Sequence, residues 1–383
     1  MVAIAGLVGL RPAPERAATV TAPPYDVVKR GTPLEQLLQE RPESVYHVVL
    51  GEDPAAAVAR LEATGALIDD PEPCYYVYEQ RWDGGSRIGF FAAVAVSDYA
   101  QGEIIRHEKT FDDKVQGRIA LARATGLNTG PVFLLTRAAL AQTCATVMAG
   151  APTYHFTSDF AAATDLHGIE NRVWRVPAES VSGTTLAAAV ADLPLYIADG
   201  HHRYHAALRG GQTHALAYIT DGAGILAYNR VINGVQPFAA IAPQLDLQPT
   251  ERFATPPKHH FALYSGGKSY LLPAQRVPDD VVGRLDCSIL ERELYPTLGL
   301  SHEMIMDPAH FDYYAEYELP TMRARVDADD YDLAVALAPV EIEELMAVAD
   351  AGLRDPEIVM PEKSTFFAPK ILTGLLFYRF ATR

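Results

Sequence analysis

Residues 195–208 read Leu-Tyr-Ile-Ala-Asp-Gly-His-His-Arg-Tyr-His-Ala-Ala-Leu, which places polar and cationic side chains between two regular segments. The apolar run Leu195–Ala198 predicts a buried strand. Asp199 and Gly200 end that strand, because Asp-Gly is typical of tight turns. Residues 203–208 carry apolar side chains at helical spacing. The stretch therefore predicts a strand, a tight turn and a helix.

The predicted turn has the components of an anion-binding site. The first N–H groups of a helix are unpaired and carry partial positive charge. Gly200 allows another group to approach the backbone closely. The side chains of His202 and Arg203 supply further donors to a charged acceptor. We therefore expect Gly200, His201, His202 and Arg203 to hold a phosphate group.

Two other interpretations of this turn stay open. In the first, Asp199 only caps the helix, and the Asp-Gly pair is an ordinary turn. In the second, His201, His202 and His205 bind a metal ion, since imidazole is a common metal ligand. The residue types alone do not decide between the three.

A second pair of cations lies on a predicted helix over residues 114–125. Lys114 and Arg118 are four residues apart, so they share one face of that helix. Two cations on one face repel each other unless an anion lies near them. The alternative is an ordinary solvated face. Glu108 lies shortly before this helix.

Two loops add further candidates. Two successive prolines stiffen the loop that carries Tyr25 and Asp26, so this polar pair could line a site. In a simpler interpretation, Asp26 caps a short helix. Lys363 and Lys370 lie in the C-terminal part, where each is either a substrate or phosphate contact or an exposed, solvated lysine.

Hydrophobic runs between these motifs predict a mixture of strands, hairpins and helices. The predicted strands include Val2–Leu10, Val45–Leu50, Cys74–Trp82, Arg87–Val96 and Ile225–Val231. Gly266-Gly267-Lys268-Ser269 is similar to the end of a phosphate-binding loop, but Ala262 stands where that motif needs glycine, so a hairpin turn is the better interpretation. Because hairpins interrupt the alternation of strands and helices, the pattern favours a mixed sheet.

The composition limits the classes of partner. The chain has 383 residues, 49% of them hydrophobic and 21% charged, which is ordinary for a folded soluble protein. The formal net charge of −16 argues against a nucleic-acid surface, because a phosphate backbone needs a basic face. A local positive pocket can still bind a nucleotide. We expect small-molecule partners and no nucleic acid.

The sequence favours a cytoplasmic protein. Met1–Leu10 is apolar but lacks a basic start, so it does not resemble a signal peptide. No apolar run reaches the length of a membrane span, so no membrane partner is expected. Cys74, Cys144 and Cys287 lie far apart, as in proteins of a reducing compartment. The sequence leaves a homodimer open.

Four motifs carry a resemblance over nearly the full length: Pro23–Val27, His107–Thr110 with Lys114 and Arg118, Asp199–Tyr204, and Met360–Thr365. With them the chain resembles the bacterial family called domain of unknown function ten-fifteen. Its Gly-x-x-Arg box resembles that of the ParB/sulfiredoxin-like superfamily, and the chain is similar to free serine kinases. His205 and Ala206 depart from the Glu and Thr usual in the family. His201 stands where sulfiredoxin has its cysteine, which argues against sulfiredoxin-type reduction.

This resemblance implies an α/β fold of mixed α+β type. A ParB/sulfiredoxin-like nucleotide-binding core with a mixed sheet is expected over residues 101–240. A β-rich N-terminal region, residues 1–100, would pack on that core, and a C-terminal α/β region would follow over residues 241–383.

The motifs together imply roles for individual residues. Expected roles are catalysis by Glu108, Asp199 and His201; nucleotide or phosphate binding by Gly200, His201, His202, Arg203, Lys114 and Arg118; substrate binding by Tyr25, Asp26, Thr110 and Lys363; and Mg²⁺ binding by Asp199. ATP or ADP would donate the phosphoryl group.

The implied activity is a nucleotide-dependent kinase of a small hydroxyl-bearing metabolite, with free L-serine as the first candidate. Phosphoryl transfer needs cations for the phosphate oxygens and a carboxylate for the acceptor hydroxyl. Glu108 is the first choice for that base and Asp26 the second. The alternative is a nucleotide-binding switch without useful turnover.

Overall fold

A computed structural model describes residues 2–160, 166–222 and 224–382. Its described part is a mixed α/β protein with a large mixed sheet and twelve α-helices. The chain forms two compact units. The first contains the described residues of Met1–Gly224 and Ala368–Arg383, and the second is Ile225–Phe367. The three predicted regions and the ParB/sulfiredoxin-like core stay predictions.

The first unit contains most of the strands. They are β1 (Ile4–Ala5), β2 (Gly9–Pro12), β3 (Leu67–Asp69), β4 (Cys74–Trp82), β5 (Gly85–Ala95), β6 (Ile104–Ile105), β7 (Leu127–Asn128), β8 (Val132–Leu135), β9 (Tyr154–Thr157), β10 (Glu170–Pro177), β11 (Leu195–Asp199), β12 (His214–Thr220) and the C-terminal β21 (Phe377–Arg379). The predicted hairpin of β4 and β5 is confirmed, with Gln80 opposite Arg87.

The described part of the first unit contains eight α-helices. They are α1 (Ala17–Val20), α2 (Pro33–Glu40), α3 (Tyr46–Val49), α4 (Pro54–Ala63), α5 (Asp112–Thr125), α6 (Leu140–Met148), α7 (Val181–Val190) and α8 (His201–Arg209). The side chains of Thr32, Asp53 and Ser180 each accept a backbone N–H of the first turn, before α2, α4 and α7 respectively. Such caps satisfy donors that a helix start leaves unpaired.

One nine-stranded sheet organises this unit. Its strands follow the order β6-β11-β8-β12-β5-β4-β10-β9, and β1 pairs with β5. β11 is parallel to β6 and β8 is parallel to β12, whereas the other pairs are antiparallel. The predicted mixed sheet is therefore confirmed. A smaller sheet in the same unit has the order β3-β2-β21-β7.

Helices α6, α7 and α8 cover one face of the large sheet. Alternate residues of the strands meet them in one apolar core, which includes Val77, Phe90, Val132, Leu134, Ile197, Ala217, Leu140, Leu186 and Tyr204. Residues that alternate along a strand share a face, so these strand residues line the face that the three helices cover. Burial of this apolar surface is the main force that holds α8 on the sheet.

The second unit has its own six-stranded sheet, in the order β15-β17-β16-β19-β14-β18. Its elements are β13 (Ile225–Leu226), β14 (Tyr228–Ile232), β15 (Gln248–Thr250), β16 (His260–Ser265), β17 (Lys268–Pro273), β18 (Phe311–Ala315), β19 (Leu333–Ala336), β20 (Phe366–Phe367), α9 (Phe238–Ile241), α10 (Asp286–Glu293), α11 (Leu319–Asp327) and α12 (Ile342–Arg354). Gly266 and Gly267 form the turn between β16 and β17, as predicted, and both have positive φ.

Three predicted strands differ in the structure. Val45–Leu50 was expected to be a strand, but it contains helix α3, because a short apolar run has no periodicity that distinguishes the two states. Val2–Leu10 is divided between β1 and β2, which belong to different sheets. Directly after β1, a Cβ atom added at Gly6 would lie only 2.6 Å from Ala178 Cβ, so this position has room for glycine alone. Ile225–Val231 is likewise divided between β13 and β14.

Among the described residues, no helix combines the length and the apolar content that crossing a bilayer requires.

Candidate functional site

The junction of β11 and α8 has the predicted strand, turn and helix. β11 ends at Asp199, Gly200 has φ 93°, and α8 begins at His201. A side chain at Gly200 would be strained by that φ and would also lie 2.7 Å from Arg203 Nε. Glycine therefore allows the Arg203 guanidinium to fold back over the turn.

Asp199 is held between two cations. Its Oδ2 lies 3.1 Å from Arg203 Nη2 and 3.6 Å from Lys370 Nζ. Burial alone would raise the pKa of Asp199, but the charges of Lys370 and Arg203 hold that pKa well below its ordinary value. Asp199 is therefore ionised at neutral pH and orients both cations.

Two buried polar residues, Gln80 and Arg87, hold the segment that carries Lys370, and we call this pair the clasp. Arg87 donates to Gln80 Oε1 and to the carbonyl of Pro369, and Gln80 Nε2 donates to the carbonyl of Lys370 at 3.0 Å. Gln80 and Arg87 are both almost fully buried. The Lys370 Nζ thereby reaches Asp199 and also lies 3.8 Å from Asp26 Oδ2.

The Tyr25–Asp26 pair lies in a turn closed by the Val27 N–H, which donates to Pro24 O at 3.0 Å. The Arg118 guanidinium lies 4.0 Å from the centroid of the Tyr25 ring. Burial lowers the pKa of Arg118, and the positive charge of Arg203 lowers it further. The turn and helix α5 thus bring Asp26 and Arg118 to the same place as Arg203.

These residues form what we name the cation cluster: Arg118, Arg203 and Lys370, with the carboxylates of Asp26 and Asp199. It carries one excess positive charge in a chain of formal net charge −16. The start of α8 adds the partial positive charge of its N–H groups. An anion bound here would relieve the repulsion between Arg118 and Arg203.

A cleft adjoins the cation cluster and encloses about 580 Å³, its open mouth included. Tyr25, Arg118 and Arg203 belong to its lining. The rest of the lining is mainly apolar: Val49, Leu121, Ala122, Leu127, Val132, Ala206, Ala207, Ala215 and Leu216, with Asn128, Thr129, Gly130, Gln212 and Thr373. A concave site that combines apolar side chains with several polar groups is typical of small-molecule sites.

His202 and Lys114 both lie against Phe111, the residue before α5. The His202 Nε2 accepts the Phe111 N–H at 3.1 Å, and the two rings are stacked 5.9 Å apart. The Lys114 Nζ lies 5.1 Å from the Phe111 ring centroid. Burial lowers the pKa of His202 to about 4, and Lys114 contributes to that shift, so His202 is neutral at pH 7.

His107, Glu108 and His201 come together beside the turn. The rings of His107 and His201 meet edge to face at 4.6 Å, and Glu108 Oε2 lies 3.4 Å from His201 Nδ1. Burial lowers the pKa of His107 to about 4 and that of His201 well below its ordinary value. Both imidazoles are therefore neutral at pH 7.

The metal trio considered from sequence, His201, His202 and His205, does not converge in the described chain. His202 contacts Phe111, and His205 stacks on Tyr99 with ring centroids 5.9 Å apart. Among the described residues, the group able to hold a metal ion is His107, Glu108 and His201. Of the three histidines, His201 belongs to this group, whereas His202 and His205 do not.

Thr110 and Lys363 are two further residues predicted to bind substrate. Thr110 is half-buried in the loop before α5. Lys363 belongs to the second unit, where its Nζ lies 5.3 Å from the Tyr228 ring centroid and 5.6 Å from that of Tyr313. Their roles stay predictions.

Sequence reasoning missed the clasp of Gln80 and Arg87 and the part played by His107. A signal for the clasp exists, because Arg87 is a cation in a strand whose other residues are mostly buried and apolar. A cation in such a strand needs a buried partner. His107 directly precedes Glu108, which was predicted as a catalytic residue. The histidine that His107 contacts, His201, is 94 positions further along the chain.

A family model described as "Protein of unknown function (DUF1015)" matches residues 4–288. No curated protein sequence matches the chain.

Several solved structures are similar in part. A mutant free serine kinase in complex with ADP is 16% identical, with 75% of this chain and 92% of that chain covered and a TM-score of 0.36. A conserved hypothetical protein from Pyrococcus furiosus is 16% identical, with coverage of 76% and 95% and a TM-score of 0.37. A C-terminally truncated SbnI from Staphylococcus aureus is 12% identical, with coverage of 74% and 85% and a TM-score of 0.39. At TM-scores below 0.5, these likenesses leave the function to be argued from the chain's own residues.

Proposed function

The chain belongs to the family described as protein of unknown function DUF1015, and we propose that it is a nucleotide-dependent phosphotransferase acting on a small hydroxyl-bearing metabolite. The observation that carries the proposal is the cation cluster at the start of α8. Arg118, Arg203 and Lys370 come from three separate parts of the sequence and meet with a surplus of positive charge.

The phosphates would bind at this cluster. Guanidinium groups and a lysine suit phosphate oxygens, and the first N–H groups of α8 add donors aimed at the same charge. Cations fixed in advance stabilise the charge that spreads over the transferred phosphoryl group. Asp199 keeps Arg203 and Lys370 in place, because it pairs with both.

The base of the nucleotide would occupy the adjoining cleft. Arg118 and Arg203 line that cleft, so a ligand in it reaches the cation cluster directly. Its apolar walls suit the faces of a heterocyclic base, and Thr129, Gln212 and Thr373 provide polar groups for the edges.

For the general base that deprotonates the acceptor hydroxyl, the geometry favours Asp26. It is exposed and lies 3.8 Å from Lys370 Nζ, within the cation cluster. Glu108, the first choice from sequence, lies beside His201 instead. In the proposed step, Asp26 accepts the hydroxyl proton, the acceptor oxygen bonds to the terminal phosphorus, and the shortened nucleotide leaves.

Mg²⁺ is part of the proposal. When bound, it would supply positive charge that offsets the negative charge of the phosphate oxygens. Carboxylate oxygens are its preferred protein ligands, and those of Asp26 and Asp199 are present at the cluster. Because Asp199 already pairs with two cations, its role as a Mg²⁺ ligand stays a prediction.

Free L-serine is the first acceptor to test by analogy, because the Gly-x-x-Arg stretch around Gly200 and Arg203 is similar to that of free serine kinases. The second candidate function is a nucleotide-binding switch. A switch would use the same phosphate contacts as the enzyme but would not transfer the phosphoryl group.

The test is acceptor-dependent nucleotide consumption. Untagged protein is incubated with Mg²⁺, ATP or ADP, and one hydroxyl amino acid at a time, and the nucleotides are separated by chromatography. We expect consumption with one acceptor, and Asp26→Asn should lower the turnover about 10²–10⁴-fold, the usual contribution of a positioned base. Nucleotide affinity should stay the same or rise, because a negative charge is removed near the phosphates.

Asp83→Asn is the matched control, since Asp83 is an exposed carboxylate in the turn between β4 and β5. It should turn over at the wild-type rate. If Glu108→Gln is inactive and Asp26→Asn is active, the base is Glu108. If the wild type binds nucleotide but consumes none with any hydroxyl amino acid, the switch is the better account.

A further inference from the structure

We propose that His107, Glu108 and His201 form a binding site for one transition-metal ion of the zinc class. This inference does not rest on the proposed phosphotransfer, because it concerns different side chains from the cation cluster. His201 begins α8, whereas His107 and Glu108 belong to the loop before α5.

The three side chains converge closely enough to share one ion. One donor atom from each lies within 4.8 Å of those from the other two. Ligands at about 2.0–2.1 Å from zinc in a tetrahedral arrangement lie roughly 3.4 Å apart. Small rotations of the side chains therefore suffice to close the site around an ion.

Each of the two imidazoles has one buried ring nitrogen that lacks a partner among the described residues. His107 Nδ1 and His201 Nε2 are buried and have no hydrogen-bond partner within the described parts of the chain. Both residues are at least 97% buried, with relative exposures of 2% and 3%. A buried polar atom without a partner is costly, and an ion bound at His107 Nδ1 would supply the missing interaction there. On His201, the nitrogen nearest Glu108 is Nδ1, which lies 3.4 Å from Glu108 Oε2.

The surroundings hold His107 in the form that binds metals. Its ring hydrogen-bonds to the backbone of Ile197. A histidine ligand commonly donates its second ring N–H to a backbone carbonyl, which fixes the tautomer and leaves the other nitrogen free to coordinate. Here that other nitrogen is the unsatisfied Nδ1.

The chemistry of the set selects the class of ion. Two imidazoles and one carboxylate suit Zn²⁺, Fe²⁺ or Co²⁺, whereas Mg²⁺ prefers oxygen ligands throughout. Three protein ligands leave a coordination position open, as in catalytic zinc sites. Glu108 is partly exposed, so this open position is accessible to water or to a small oxygen-bearing ligand.

The test uses Co²⁺ as a visible probe and Zn²⁺ as its competitor. Untagged protein is stripped with a chelator, dialysed and titrated with Co²⁺ in the absence of nucleotide. We expect one equivalent to bind, with d–d absorption bands typical of four- or five-coordinate cobalt, and one equivalent of Zn²⁺ should bleach them.

Variants connect the signal to the three residues. His107→Ala and His201→Ala should lose the bands, and Glu108→Gln should weaken Co²⁺ binding at least tenfold. His205→Ala is the matched control, because His205 lies one turn along α8 from His201 but stacks on Tyr99. It should bind Co²⁺ like the wild type. Glu108→Gln keeps the test decisive if a buried histidine variant fails to fold, since Glu108 is partly exposed.

Absence of cobalt bands in folded wild-type protein would overturn the site. So would bands that survive His107→Ala in folded protein or that disappear in His205→Ala. The phosphotransfer assay with Mg²⁺ and the stripped protein is run separately. Metal binding without turnover would count against the proposed function alone, and turnover without cobalt binding would count against the metal site alone.

Discussion

Arg118 is the residue of the cation cluster that has most to gain from an anion. Its guanidinium faces the Tyr25 ring rather than a carboxylate, and burial together with the charge of Arg203 lowers its pKa. A π-face compensates a buried cation only in part. A bound phosphate would supply the charge-assisted hydrogen bonds that this position favours.

Replacing Arg118 by methionine should therefore weaken nucleotide binding. Arg118→Met keeps the length of the side chain and removes its charge. We expect the Kd for ADP or ATP to rise about 10- to 100-fold, which corresponds to roughly 1.5–3 kcal/mol for a hydrogen bond to a charged group. Titration calorimetry measures this directly. Arg123→Met, an exposed arginine on the same helix, should leave the Kd unchanged; equal affinities of both variants would refute the assignment.

At the scale of elements, strands β4 and β5 hold the segment that carries Lys370. Gln80 and Arg87 are directly opposite each other in the hairpin, and together they contact the backbone of Pro369 and Lys370. The Arg87 guanidinium also lies 4.8 Å from the Phe133 ring centroid of β8. Arg87 thus helps to determine where Lys370 lies, the lysine to which we assign phosphate binding.

Arg87→Met should consequently lower both stability and nucleotide affinity. It leaves Gln80 Oε1 and Pro369 O without this donor, at a cost of about 1–3 kcal/mol for each buried acceptor. Urea unfolding should show the loss of stability, and calorimetry should show weaker nucleotide binding because Lys370 is no longer held. Arg30→Met, at an exposed arginine of the same unit, should change neither. Lower stability with unchanged affinity would mean that the clasp is structural only.

At the scale of the whole molecule, both compact units bury their thiols. Cys74 and Cys144 lie in the first unit and Cys287 in the second, and all three are free and buried. Burial raises the pKa of Cys74 to about 11 and that of Cys144 to about 12, and it also raises the pKa of Cys287. Because the thiolate is the reactive form, each thiol is protonated and inert at pH 8.

The native protein should accordingly resist thiol reagents. At pH 8, a chromogenic disulfide reagent should label no cysteine on the timescale on which it labels free cysteine. In guanidinium chloride, all three should react within that time, because unfolding exposes them and restores their ordinary pKa. Fast reaction of one thiol in the native state would show that its unit opens or that the thiol is accessible.

Much of the local structure could be predicted from sequence. The β11–turn–α8 segment, helix α5 and the β4–β5 hairpin follow from apolar periodicity and turn residues. Val45–Leu50 could not be assigned correctly, because its apolar run is too short to show a period. The division of Val2–Leu10 between two sheets depends on contacts made by residues far along the chain.

The sequence by itself determined the local geometry of the site: glycine at a turn of positive φ, with a helix beginning directly after it. Only the tertiary structure decided which side chains meet there. Lys114 and Arg118 share a helix, yet Lys114 lies against Phe111, whereas Arg118 reaches the cluster. Lys370 and Glu108 likewise acquired their partners through packing. The physical reason is that residue spacing defines geometry within one element, while contacts between distant segments depend on how the elements pack.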